Sequence, residues 1–128
     1  LVPVNPSQFQ QLMQNLLSNS LKFTRKGVAP QILISGKLLE TGAALRYGLN
    51  PEDNYLQIKI EDNGIGFDPQ FSRQIFNIFQ RLNDKNEYSG TGIGLAICKK
   101  IVENHGGFIG AEGKPGVGTI IYIIIPAN

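Results

Sequence analysis

Phe9, Leu12, Met13, Leu16 and Leu17 fall at the i, i+3, i+4, i+7, i+8 spacing that gathers apolar side chains on one helix face. Asn5 suits an N-cap, Pro6 the first helical position and Gln8 the N3 position. A helical advance gathers Gln8, Gln11, Asn15, Asn19 and Lys22 on a second, polar face. Lys22, Arg25 and Lys26 complement the dipole at the C-terminal end, and Gly27 is a suitable stop. Period-two alternation then predicts strands over Gln31–Leu39, through Ile32 and Ile34, and over Tyr55–Glu61, through Leu56, Ile58 and Ile60. Between them Glu40–Asn54, with Gly42, Gly48 and Pro51, reads as a loop with room for a short helical turn. Pro69–Leu82 contains a helical stretch, and Asn83–Ser89 is polar and expected to be mobile. A helix is predicted over Leu95–Asn104, with Ile97, Ile101 and Val102 inward, ended by His105-Gly106-Gly107. Strands Phe108–Glu112 and Val117–Ile125, joined by Lys114-Pro115-Gly116, complete an α+β two-layer sandwich.

Length and composition narrow the function classes. The 128 residues fit one domain able to bury its own core. With 41% hydrophobic and 17% charged residues the composition is globular. No apolar run is long enough to span a membrane, and no signal-peptide pattern opens the chain. One cysteine, Cys98, excludes a disulfide framework, and one histidine, His105, argues against a Cys/His zinc site. The net charge of +2 is scattered, so there is no nucleic-acid footprint. Glycine changes the picture: of 15 glycines, 11 lie between Gly64 and Gly118. Such clustering suits loops that need positive φ or close backbone approach to something, although glycines also mark ordinary turns.

Several segments carry candidate chemistry. Asp62-Asn63-Gly64-Ile65-Gly66 ends a strand with a carboxylate that can accept from an exocyclic amine, followed by glycines that let a flat ring approach; it is equally a common turn sequence. Gly90-Thr91-Gly92-Ile93-Gly94-Leu95 opens a helix, so its N–H groups form either an anion cradle or a plain cap. It is neither a Walker A motif, lacking the Lys-Ser/Thr pair, nor a dinucleotide fingerprint. Asn15 and Asn19 offer hard amide oxygens suited to Mg²⁺ at i and i+4, with Lys22 on the same face; a solvated polar stripe is the alternative. Gly116-Val117-Gly118-Thr119 could be a simple strand-opening turn.

In order, Asn-Leu-Leu-Ser-Asn-Ser-Leu-Lys-Phe-Thr (15–24), Glu-Asp-Asn-Gly-Ile-Gly-Phe (61–67), Ile-Phe-Asn-Ile-Phe-Gln-Arg-Leu (75–82) and Gly-Thr-Gly-Ile-Gly-Leu-Ala-Ile (90–97) resemble the N, G1, F and G2 boxes of sensor histidine kinases. The resemblance covers nearly the whole chain. It implies the Bergerat fold of the GHKL superfamily, a mixed sheet with helices on one face. By that resemblance Asp62 holds the adenine amino group, Gly64 and Gly66 shape the base pocket and Thr119 supports its floor. Asn19 binds Mg²⁺, Phe23 lies beside the nucleotide, and Asn15 and Lys22 lie near the phosphates, with Arg81 a looser candidate. Gly90, Thr91, Gly92, Gly94 and Leu95 wrap the phosphates at the helix N-terminus. Residues from about 67 to 94 form the ATP lid, anchored by Phe76 and Phe79. Ser20 stands where the family has alanine and Gly113 where it has serine; both read as drift.

The implied reaction is transfer of the ATP γ-phosphate to a histidine. His105 sits at a helix end and reads as a cap; the resemblance implies an acceptor histidine on a separate helical dimerisation domain of the same protein. The chain then reads as a catalytic domain over residues 1–128 that does not autophosphorylate alone. Its parent is expected to be a cytoplasmic or membrane-anchored homodimer serving a response regulator. The gyrase, heat-shock chaperone and mismatch-repair ATPases of the superfamily place a glutamate base four residues before the metal-binding asparagine. Here that position is Asn15, which cannot take a proton from water, and this favours a kinase over a hydrolase. Anti-sigma-factor serine kinases and a non-catalytic nucleotide-binding scaffold are the alternatives.

Overall fold

The alternating segments build one four-stranded sheet. The computed structural model describes residues 4–40, 42–76 and 94–127. Helix α1 (Pro6–Lys22) precedes strands β1 (Ile32–Leu38) and β2 (Asn54–Asp62); helix α2 (Gly94–Asn104) precedes strands β3 (Phe108–Lys114) and β4 (Gly118–Ala127). The strand order is β1-β2-β4-β3. Every ladder among the described residues is antiparallel, which corrects the expected mixed sheet. The reason is the route of the chain: after α2, β3 takes the edge and β4 returns by hairpin into the gap beside β2, running against both neighbours.

Both helices pack on one face of this sheet, as expected. Leu12 and Leu16 of α1 and Cys98, Ile101 and Val102 of α2 meet Ile60, Ile109, Ile121, Ile123 and Ile125 in a single core. The Ile123-Ile124-Ile125 run reflects a strand covered on both sides: Ile123 and Ile125 face the helices, whereas Ile124 joins Ala44 and Tyr55 on the opposite face. The 40–54 loop supplies that second cover. Its 3-10 turn, Ala43–Tyr47, lays Tyr47 against Phe108 with ring centroids 5.0 Å apart, and the Tyr55 hydroxyl accepts from Asn50 N.

Two elements depart from expectation. The helix α1 stops at Lys22, well short of Gly27, because the Phe23 carbonyl accepts from Ile65 N at 2.8 Å instead of continuing the helix. Of the 69–82 segment expected to contain a helical stretch, the part as far as residue 76 is two 3-10 turns, Pro69–Phe71 and Gln74–Phe76, and the remainder, with Ile78 and Phe79, lies outside the described residues. At the first turn Ser72 Oγ donates to Pro69 O and Asp68 accepts from Gln70 N, local bonds that compete with an α-helical ladder. The N-terminus of α1 follows its sequence: Asn5 Oδ1 accepts from Gln8 N at 3.1 Å, and Pro6 opens the helix.

Candidate nucleotide site

Asp62 is the last residue of β2 and lies opposite Thr119 at the start of β4. Its Oδ1 accepts from Gly64 N at 2.9 Å and from Thr119 N at 3.3 Å. Two fixed donors on one oxygen orient the carboxylate, and no described residue donates to Oδ2. The turn behind it has no room for side chains. A Cβ on Gly64 would strike Phe23 O, and one on Gly66, at φ +68°, would strike Lys114 O. Gly116 N donates to Ile65 O at 2.8 Å, so the 114–118 turn is fastened to the same segment. Asp62, Gly64, Gly66, Phe23 and Thr119 therefore meet at one end of the sheet.

The helices bring the remaining candidates to that end. They run antiparallel, since Asn5 N donates to His105 Nε2 at 3.0 Å and Cys98 Sγ lies 3.9 Å from Leu12 O. That alignment sets the N-terminus of α2, with Gly94 and half-buried Leu95, alongside the Asn15–Asn19 turn of α1. Asn19 is half-buried, one turn before Phe23, and its backbone carbonyl accepts from Phe23 N. Lys22 is exposed in the last turn. Asn15 is half-buried, and its amide engages the Cys98 thiol. Desolvation pushes that thiol up to about 12, with the Asn15 bond acting in the opposite sense. Arg81, Gly90, Thr91 and Gly92, with the Asn83–Ser89 segment and Phe79, lie outside the described residues.

Fit to ATP follows from this geometry. Oδ2 of Asp62, which has no donor among the described residues, suits an amine donor, and the turn held against the backbone suits a planar ring. A helix N-terminus with the nearby Asn19 and Lys22 suits phosphates with a hard cation. The Asn19 amide oxygen fits a cation that keeps most of its waters; among the described residues no group of three His, Cys, Asp or Glu could hold a metal. Gly113 is more than drift: the Phe67 ring packs where its Cβ would be, at 2.5 Å from Cγ. Ser20 is buried in the α1 interface at 5% exposure. Arg25 and Asn63, read from sequence only as a helix-end charge and a turn residue, are joined by a 2.8 Å bond from Arg25 Nε to Asn63 O.

A strand-end carboxylate beside a glycine turn, at the end of the sheet where α1 stops and α2 begins, suits an α+β domain that binds a nucleotide. The chain belongs to the histidine kinase-, DNA gyrase B-, and HSP90-like ATPase family, whose profile matches residues 4–128. It is 48% identical over 127 residues to cyanobacterial phytochrome A of Nostoc sp., covering 99% of this chain and 15% of that protein. It is 34% identical over 130 residues to sensor protein EvgS of Escherichia coli, covering 100% of this chain and 10% of that one. The mycobacterial sensor histidine kinase MprB superposes with a TM-score of 0.74 at 26% identity, over 98% of this chain and 74% of that one. The chain is thus an ATP-binding catalytic domain of the sensor histidine kinase type, and it spans only a small part of these curated relatives.

Proposed function

We propose that the chain binds ATP with Mg²⁺ and presents the γ-phosphate to a histidine on a separate helical dimerisation domain. That domain belongs to a homodimeric, cytoplasmic or membrane-anchored parent that passes the phosphoryl group to a response regulator. The observation that carries the reading is Asp62: Oδ1 is consumed by Gly64 N and Thr119 N, which leaves Oδ2, with no donor among the described residues, to accept from an adenine amine.

Each residue then has a task. Gly64 and Gly66 let the turn pack directly on the Phe23 and Lys114 backbone and so fix the wall of the pocket, and Thr119 braces the carboxylate through its backbone. Asn19 contributes a neutral oxygen to the cation, which supplies charge neutralisation at the phosphates when bound. Lys22 and the N–H groups opening α2 orient the phosphates, work extended to Gly90, Thr91, Gly92 and Arg81 by motif. Asn15 is a neutral amide engaged with Cys98 and is no base for water, which favours transfer over hydrolysis. His105 is unsuited as acceptor: Nε2 accepts from Asn5 N, and Nδ1 lies 2.8 Å from Ile101 O. The test is calorimetric titration with Mg·ATP, with ATP in chelator and with Mg·GTP. Micromolar binding that weakens without the cation and with guanine is expected; no heat and no competition at millimolar Mg·ATP overturns the reading.

A further inference from the structure

We infer that Asn63 and Arg25 are positioning residues, a buckle that sets the spacing between the adenine-reading carboxylate and the phosphate-facing end of α1. The inference rests on the nucleotide reading above. Asn63 follows Asp62 directly, one step beyond the last β1–β2 pair, Ile32↔Asp62. All four of its polar groups bond to the segment joining α1 to β1. Its N donates to Gln31 O at 3.3 Å. Its Oδ1 accepts from Gln31 N at 2.8 Å, and Nδ2 donates to Ala29 O at 3.0 Å. Its carbonyl accepts from Arg25 Nε at 2.8 Å. The side-chain amide thus extends the pairing past the ladder with one donor and one acceptor, a combination that neither aspartate nor leucine supplies.

Two residues on, Ile65 N is bonded to Phe23 O. The turn carrying Asp62 is therefore fastened at both ends to residues 23–31, whose near end continues directly from Asn19 and Lys22. Each polar group of Asn63 already has a partner inside the protein, so the residue acts through spacing. A nucleotide with a cation bridges both halves of the site, so its affinity depends on that spacing. Adenosine touches only the Asp62 half and is indifferent to it. Gln31 and Ala29 are exposed, so water satisfies their backbone groups when the amide is removed, and the fold persists.

The experiment titrates adenosine and Mg·ADP into wild type, Asn63→Ala and Arg25→Ala, following amide chemical shifts and checking each fold by its thermal transition. Mg·ADP affinity is expected to fall about tenfold in both variants while adenosine affinity stays within about twofold of wild type. Arg25→Ala leaves the Asn63 amide pair in place and carries the test should Asn63→Ala fail to fold. Unchanged Mg·ADP binding, or parallel loss of both ligands in a folded variant, overturns the buckle. Wild type that binds neither ligand overturns the nucleotide reading and the inference together; wild-type binding matched by both variants overturns the inference alone.

Discussion

The two donors on Asp62 Oδ1 decide what an amide would do in its place. In Asp62→Asn the side-chain oxygen must stay with Gly64 N and Thr119 N, which turns the NH₂ outward to where Oδ2 stood. A donor would then face the donor amine of adenine. ATP affinity should fall by about 1–3 kcal/mol, measured by calorimetry, while inosine nucleotides, which offer an acceptor there, lose less. Equal ATP affinity in the variant would remove Asp62 from the base pocket. The grouping of Asp62 with Gly64 and Gly66 was legible because the three share one short motif, whereas Thr119 joins them only through the pairing of β2 with β4. The Asn63 bonds were not legible, since its partners stand 32 to 38 positions away and neither residue type signals them locally. Gly113 fell in the same class: its lack of a side chain answers Phe67, a neighbour only in the folded sheet.

Among the described elements, periodicity located both long helices and strands β1 and β2, the 114–116 turn separated β3 from β4, and the end of α1 was set by a tertiary bond. Lys22, Arg25 and Lys26 suit the end of α1 without fixing its last residue; the stop comes from Ile65 N reaching Phe23 O. The 40–54 loop carried no periodicity, yet Ala44 and Tyr47 cover the sheet face that Ile124 would otherwise expose. The α1–α2 contact has a measurable signature in Cys98, which is fully buried. Its thiol is raised from 9.0 to about 12 by desolvation. The folded state therefore keeps a proton that the unfolded chain releases above pH 9, so the unfolded state binds fewer protons and stability declines as pH rises from 9 towards 12. Relative to Cys98→Ala, wild type should lose about 1.4 kcal/mol per pH unit in that window and nothing below pH 8. Urea denaturation at pH 8, 9 and 10.5 reads the difference. Parallel pH dependence in the two proteins would show that the thiol titrates normally in the fold.

For the molecule as a whole, the antiparallel helices set the proposed phosphate site and the single histidine at opposite ends. His105 closes α2 and, through Asn5 N, ties down the start of α1. From Leu95 to His105 is about 15 Å along the helix, so this imidazole does not reach phosphates held at the N-terminus of α2. Phosphoryl transfer requires its nucleophile in line with and close to the γ-phosphate. The chain alone should therefore take no label from γ-labelled ATP, and it should label an added helical dimerisation domain carrying an acceptor histidine. That label should be acid-labile and sit on the added domain. Asn19→Ala removes the amide oxygen offered to the cation and should abolish transfer. His105→Ala should preserve transfer and lower thermal stability, because it removes the bond holding Asn5 and leaves the phosphate end untouched. Acid-labile label on His105 of the unmixed chain would place the acceptor within this domain and overturn the assignment of the transfer to a separate one.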